Sequence, residues 1–140
     1  MNIRFEKRDT FYVSGFSMET NEANLERDVA LLRERYEDKL RAVSPCLYFV
    51  SWAGKDDEMV YHFSVETSGK TPEGTTTVEV PSGYFAVASV PKGTPILPAW
   101  YEFFASLPST GAEINQEYHI YFEYFNQNGD CELWIPIVEK

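Results

Sequence analysis

Five consecutive residues, Tyr121-Phe122-Glu123-Tyr124-Phe125, set one carboxylate among four aromatic rings. An ionised glutamate buried there is costly unless a donor or a cation pairs with it, and desolvation raises its pKa. A bound cation restores the lost interaction, neighbouring rings add cation–π attraction, and tyrosine hydroxyls can donate hydrogen bonds. The same carboxylate could act as a general base that aligns a water, with Tyr121 or Tyr48 donating to a developing oxyanion. A strand-surface glutamate facing water, with aromatics that only pack, fits the same letters.

The other reactive side chains offer less. His62 and His119 have no second imidazole or cysteine at zinc-ligand spacing, so neither a metal nor any other cofactor is expected. His119 shares a face with Glu123 but is four residues away, roughly 13 Å along a strand, too far for a direct hydrogen bond. Cys46 and Cys131 form neither a metal pair nor a disulfide framework and read as reduced cytosolic thiols.

The elements that must position Glu123 follow from periodicity. Residues 3–16 alternate as one long strand, with an interruption expected near 7–10. Over residues 21–42, Leu25, Val29, Leu32, Tyr36 and Leu40 recur at helical steps, and Ser44-Pro45 ends the helix. Strands are expected over 46–52 and 59–67, a polar linker over 68–74, and strand-like sequence over 76–90. A shorter helix over 99–107 and a final hairpin of 118–125 and 131–138, joined by the turn "NQNGD", complete the chain.

Each half thus reads strand, helix, strand, strand. A shift of 73 residues pairs Tyr48-Phe49 with Tyr121-Phe122, Trp52 with Phe125, Tyr61 with Trp134 and Phe11 with Tyr84. The pattern predicts a single α+β domain, residues 1–140, of two pseudo-twofold-related β-α-β-β repeats, about 1–68 and 75–140. Its antiparallel sheet would carry both helices on one face and a ligand cleft on the other. Alternation would then put Tyr48, Val50 and Trp52 with Tyr121, Glu123 and Phe125 on the open face. Leu47, Phe49, Ile120 and Phe122 would face the helices.

Composition narrows the partners. A net charge of −10 repels nucleic-acid backbones and anionic membranes. No apolar run approaches the ~18 residues of a membrane span, and the start lacks a signal-peptide core, which points to the cytoplasm. The 10 Phe, 9 Tyr and 3 Trp exceed what a core of this size needs, leaving aromatics for a pocket.

The segments "VPSGYFAVASV", "FEYF" and "ELWIPI", with a tryptophan opening the helix between them, resemble the gyrase-inhibitor-like (GyrI-like) small-molecule-binding domain. That domain is the effector-binding module of AraC-type and MerR-type multidrug regulators. The resemblance spans essentially the whole chain, which reads as a standalone version. It implies a cleft at the pseudo-twofold axis, with Glu123 at its floor contacting cationic aromatic ligands. It implies aromatic walls drawn from Tyr48, Trp52, Tyr61, Trp100, Phe125 and Trp134. Some standalone members hydrolyse cyclopropane-containing alkylating compounds, which would make Glu123 a general base with Tyr121 beside it. The gyrase-inhibitor branch implies an alternative, an acidic protein that binds a DNA-handling partner such as gyrase. Monomer and homodimer both remain open.

Overall fold

A computed structural model describes residues 1–67 and 71–139; residues 68–70, part of the expected linker, and residue 140 lie outside that description. The elements are β1 (Ile3–Arg8), β2 (Phe11–Thr20), α1 (Leu25–Arg41), β3 (Leu47–Ala53), β4 (Met59–Glu66), β5 (Thr76–Val80), β6 (Gly83–Val90), α2 (Ile96–Ser106), a 3₁₀ turn (Leu107–Thr110), β7 (Tyr121–Phe125) and β8 (Cys131–Ile137). All strands join one antiparallel sheet in the order β1-β6-β8-β7-β3-β4-β2-β5. Exchanging β1–β4 for β5–β8 gives the same order read backwards.

The two long strands expected at 3–16 and 76–90 are each broken in two. Pro81 has no N–H to continue a ladder, and the Ser82 N–H is held instead by the Thr10 hydroxyl at 3.0 Å. The two breaks therefore meet in space. Each sends one strand across to the other half, β1 to β6 and β5 to β2.

Helix α1 places Glu26 and Asp28 in its first turn and Lys39 and Arg41 in its last, matching the helix dipole. Its Leu25, Leu32 and Leu40 are buried with Leu47, Phe49, Tyr61, Phe63 and Val65. Tyr36 stacks on Phe16 of β2 at 3.9 Å. Helix α2 begins at Ile96, three residues before the expected start. It packs Ala99, Trp100 and Phe103 on Ala86, Ala88, Leu133 and Ile135. Both helices lie on one face, and the central pair β3 and β7 runs beneath the gap between them.

Glu123 is on that helix face. It sits directly opposite Phe49 on β3 and Leu133 on β8, and both of those pack under the helices. The expectation that it shared a face with Tyr48, Val50 and Trp52 is corrected: Tyr48 and Val50 belong to the opposite face, Trp52 packs against that core from the end of β3, and Trp134, expected as a cleft wall, lies there too. Tyr48, Val50 and Trp134, with Phe11, Val13, Phe85, Val87 and Phe122, fill the opposite face as a second core. In a flat sheet β2 and β7 would be about 14 Å apart, three strand spacings. The rings of Phe11 and Phe122 nevertheless meet at 5.5 Å. The sheet therefore curls around the helix-free face and packs its centre as a core. Arg8 covers this core, its guanidinium 3.8 Å from the centre of the Phe11 ring and hydrogen-bonded to Tyr48 and Glu66.

Two stability predictions arise here. Gly15 of β2 pairs with Ser64 of β4, and a methyl group on it would collide with the Phe63 carbonyl oxygen. Backbone cannot yield as a flexible side chain does, so Gly15→Ala should cost about 3 kcal/mol in chemical denaturation. His62, on the helix-free face, is 0% exposed, and neither ring nitrogen reaches hydrogen-bond geometry. Burial holds its pKa down at about 4, and the Thr76 backbone offsets only part of that effect. The unfolded chain binds this proton near pH 6.5 and the folded chain near 4, so the His62 contribution to stability should fall as pH drops between those values, read as the difference between wild type and His62→Phe. The loss is about 3 kcal/mol at most, and His62→Phe should abolish it in urea titrations across that window.

Candidate functional site

Glu123 sits in the middle of β7 and is 1% exposed. Its Oε2 accepts two hydrogen bonds, from the Trp100 indole N–H at 2.8 Å and the Tyr61 hydroxyl at 2.9 Å. Strand β4 presents Tyr61 from beside β3, and the second turn of α2 lowers Trp100 from above. Oε1 has no hydrogen-bond partner. Burial pushes the Glu123 pKa up to about 7. The two donated hydrogen bonds and the Arg33 charge work against that shift, and the Glu26 charge adds to it. The Tyr61 hydroxyl is held well above its ordinary pKa, first by burial and then by Glu123, so it remains a donor.

Above Tyr61 and Trp100 opens a cleft of about 480 Å³. Its walls are mostly rings: Trp52, Tyr61, Trp100, Tyr101, Phe104 and Tyr121. Tyr121 stacks on Trp100 with ring centres 6.3 Å apart, and Phe104 lies 5.9 Å from both. A half-exposed Tyr101 and an exposed Phe104 leave α2 with an apolar rim. The arrangement offers flat π faces to a lipophilic cation and a buried carboxylate one hydrogen bond behind them. A second cleft of about 500 Å³ lies on the other side of the contact where the Leu97 N–H donates to Glu26 at 2.8 Å.

The residues expected at the site divide accordingly. Tyr61 and Trp100 bond Glu123 directly; Trp52 and Tyr121 line the aromatic cleft. Phe125 lies on the same face but borders the second cleft. Tyr48 and Trp134 belong to the opposite core, away from the site. There the Tyr48 hydroxyl is occupied by Arg8 and Glu66, so it donates nothing toward Glu123.

Sequence reasoning missed Tyr101, Phe104 and Tyr118 of the aromatic cleft. The first two were legible as aromatics on the outward side of a short helix. Tyr118 was assigned to a strand, but β7 starts only at Tyr121. Residues 115–120 instead form a loop whose Tyr118 hydroxyl donates to the Pro81 carbonyl and whose His119 borders the cleft.

The eight-stranded antiparallel sheet with its two helices has the GyrI-like effector-binding fold. The chain belongs to the Cass2 family, integron-associated effector-binding proteins, whose family model matches residues 4–137. Among solved structures it is similar to SAV2435 bound to tetraphenylphosphonium, with a TM-score of 0.78 and 12% identity over 99% of this chain and 94% of that one. It is similar to the integron cassette protein VCH_CASS2 from the mobile metagenome of Vibrio cholerae, at TM-score 0.68 and 15% identity over 97% and 95%. The EcmrR chain in its DNA complex aligns at TM-score 0.67 and 11% identity, over 99% of this chain and 58% of that one. No curated protein sequence matches the chain. Among the described residues no helix is long and apolar enough to cross a membrane.

Proposed function

We propose that the protein captures lipophilic aromatic cations in the aromatic cleft, with Glu123 as the charge that selects them. The observation that carries this reading is a glutamate 1% exposed, one hydrogen bond behind the Tyr61 and Trp100 rings that line the cleft, which Glu123 itself does not border. Such a carboxylate is worth its burial only if a cation comes close to it. Tetraphenylphosphonium in the similar SAV2435 structure is a ligand of this class. The palindromic strand order supports residues 1–68 and 75–140 as duplicated halves, with the cleft placed between their helices.

Titration with tetraphenylphosphonium, followed by tryptophan fluorescence, tests the proposal. Trp100 and Trp52 line the cleft, so saturable quenching is expected, and the part of it that persists in Trp100→Phe reports from Trp52. Absence of any saturable change, with no shift in melting temperature, would refute the proposal.

Binding is favoured over hydrolysis by one detail. A general base needs a free oxygen facing the substrate, whereas the Glu123 oxygen toward the aromatic cleft already accepts two hydrogen bonds. Tyr121 then serves as a stacking wall and not as an oxyanion donor. Turnover of a cyclopropane-bearing electrophile at catalytic protein concentration would reverse that preference. The reading as a gyrase-binding protein rests on the family resemblance and the net charge of −10, with no feature of the site behind it.

A further inference from the structure

Glu123 borders the second cleft and not the aromatic one, and its Oε1 is the oxygen without a partner. Its Oε2 is committed to Tyr61 and Trp100 on the aromatic side. A buried acceptor left unpaired is costly, so the missing group is a donor. The charges around the cleft point to a positive one. Arg33 and Arg41 both donate to Glu37, at 2.6 and 3.1 Å, and Arg41 also donates to the Pro45 carbonyl. Arg33 lies over Phe125, 4.5 Å from its ring centre, which fixes it further. Glu26 gives one oxygen to the Leu97 N–H, and its charge opposes ionisation of Glu123. Arg33 attracts the ionised Glu123, but its hydrogen bond goes to Glu37 and none reaches Glu123 Oε1, which leaves that oxygen, with Glu26 at the cleft rim, open to a donor-bearing cation. Lys92 packs beside Gly129 in the β7–β8 turn and borders the same cleft.

We propose that this second cleft is a binding site for a small cation bearing N–H donors, a guanidinium or primary ammonium group, held between Glu123 Oε1 and Glu26. It rests on the same carboxylate as the proposed function but on none of the aromatic walls. The two clefts then divide cations by chemistry. A phosphonium has no N–H and takes the rings, whereas a guanidinium satisfies the orphaned oxygen. One carboxylate serves both, so occupancy of one cleft weakens the other.

The test is calorimetric titration of the full chain with methylguanidinium chloride at pH 8, with ionic strength held constant by sodium chloride. Methylurea, which has the donors without the charge, is the control. Saturable one-to-one binding is expected for methylguanidinium and none for methylurea. Affinity should fall at least about tenfold in Glu123→Gln, and to a similar extent in Val29→Trp, which fills the cleft. It should rise about threefold in Lys92→Glu, which reverses a repelling charge. Saturating methylguanidinium should lower the affinity for tetraphenylphosphonium by about tenfold. Retained tetraphenylphosphonium binding in Val29→Trp shows that this variant is folded. No saturable methylguanidinium binding, or binding that survives Val29→Trp, would overturn the second site. In either case intact tetraphenylphosphonium binding would leave the aromatic cleft standing, whereas loss of phosphonium binding in the wild-type chain would remove the function itself.

Discussion

Glu123→Gln should weaken tetraphenylphosphonium binding by about a hundredfold, roughly 2.7 kcal/mol, while making the ligand-free protein more stable at pH 8. The first effect follows from removing the buried negative charge behind the rings, a loss in the range of broken buried charge pairs. The second follows from linkage. The folded-state pKa of Glu123 is raised to about 7 from an ordinary value near 4.5. A group raised in this way contributes stability at low pH and loses it as pH rises through the folded pKa. At pH 8 the native protein therefore carries a buried charge that glutamine removes. Glutamine still offers an oxygen to Trp100 and Tyr61. The expected gain is on the order of 2 kcal/mol, read as a higher urea midpoint. Equal affinities for the two proteins would show that the carboxylate does not contact the ligand's charge. Loss of both binding and stability would mean that it is a structural link between β4, β7 and α2.

The second large effect is on pH dependence. Only the ionised carboxylate attracts a cation, so affinity should be level above about pH 7.5. It should fall about tenfold per pH unit between 7 and 5. The groups around Glu123 set this window: burial and Glu26 raise its pKa, while Trp100, Tyr61 and Arg33 lower it. The neighbouring Cys131 thiol is pushed far above its ordinary value by burial and by Glu123, so it stays neutral throughout. Near neutral pH, binding should release a fraction of a proton, measurable as a buffer-dependent heat. In Glu123→Gln both the pH slope and the proton release should vanish. A slope that survives in this variant would assign the titration to another group.

The sequence placed a costly glutamate among aromatics, and periodicity located α1, the two hairpins and the helix carrying Trp100. The face of the sheet was not legible, and one residue of offset accounts for it. The shift of 73 aligns "YFVSW" with "YFEYF" by their letters. In the sheet, Leu47 and Phe49 share a face with Tyr121, Glu123 and Phe125, so equivalent positions differ by an even number. An odd offset sends every paired side chain to the wrong face, which is how Tyr48 and Trp134 came to be expected beside Glu123. Aromatics fill both faces of the central strands, so hydrophobic alternation could not expose the slip. The crossing of β1 and β5 to opposite halves was hidden for another reason. A strand and its continuation look alike until their partners are known: the interruption expected near 7–10 falls between Arg8 and Phe11, whereas the break at Pro81 was read through as one strand. Tyr61 and Trp100 are far from Glu123 in sequence, and only the strand order, with β4 two strands from β7, and the docking of α2 on that face bring their donors to the same oxygen.

The central claim is that Glu123 and the rings above it form one cation site on the helix face. A crystal structure of the protein with tetraphenylphosphonium tests it most directly. The phosphonium should lie between α1 and α2, with its phenyl groups against Trp100, Tyr121 and Trp52 and its charge within about 6 Å of the Tyr61 or Trp100 ring centre. A ligand found against the Arg8, Tyr48 and Trp134 face, or in the second cleft with the aromatic cleft empty, would contradict it.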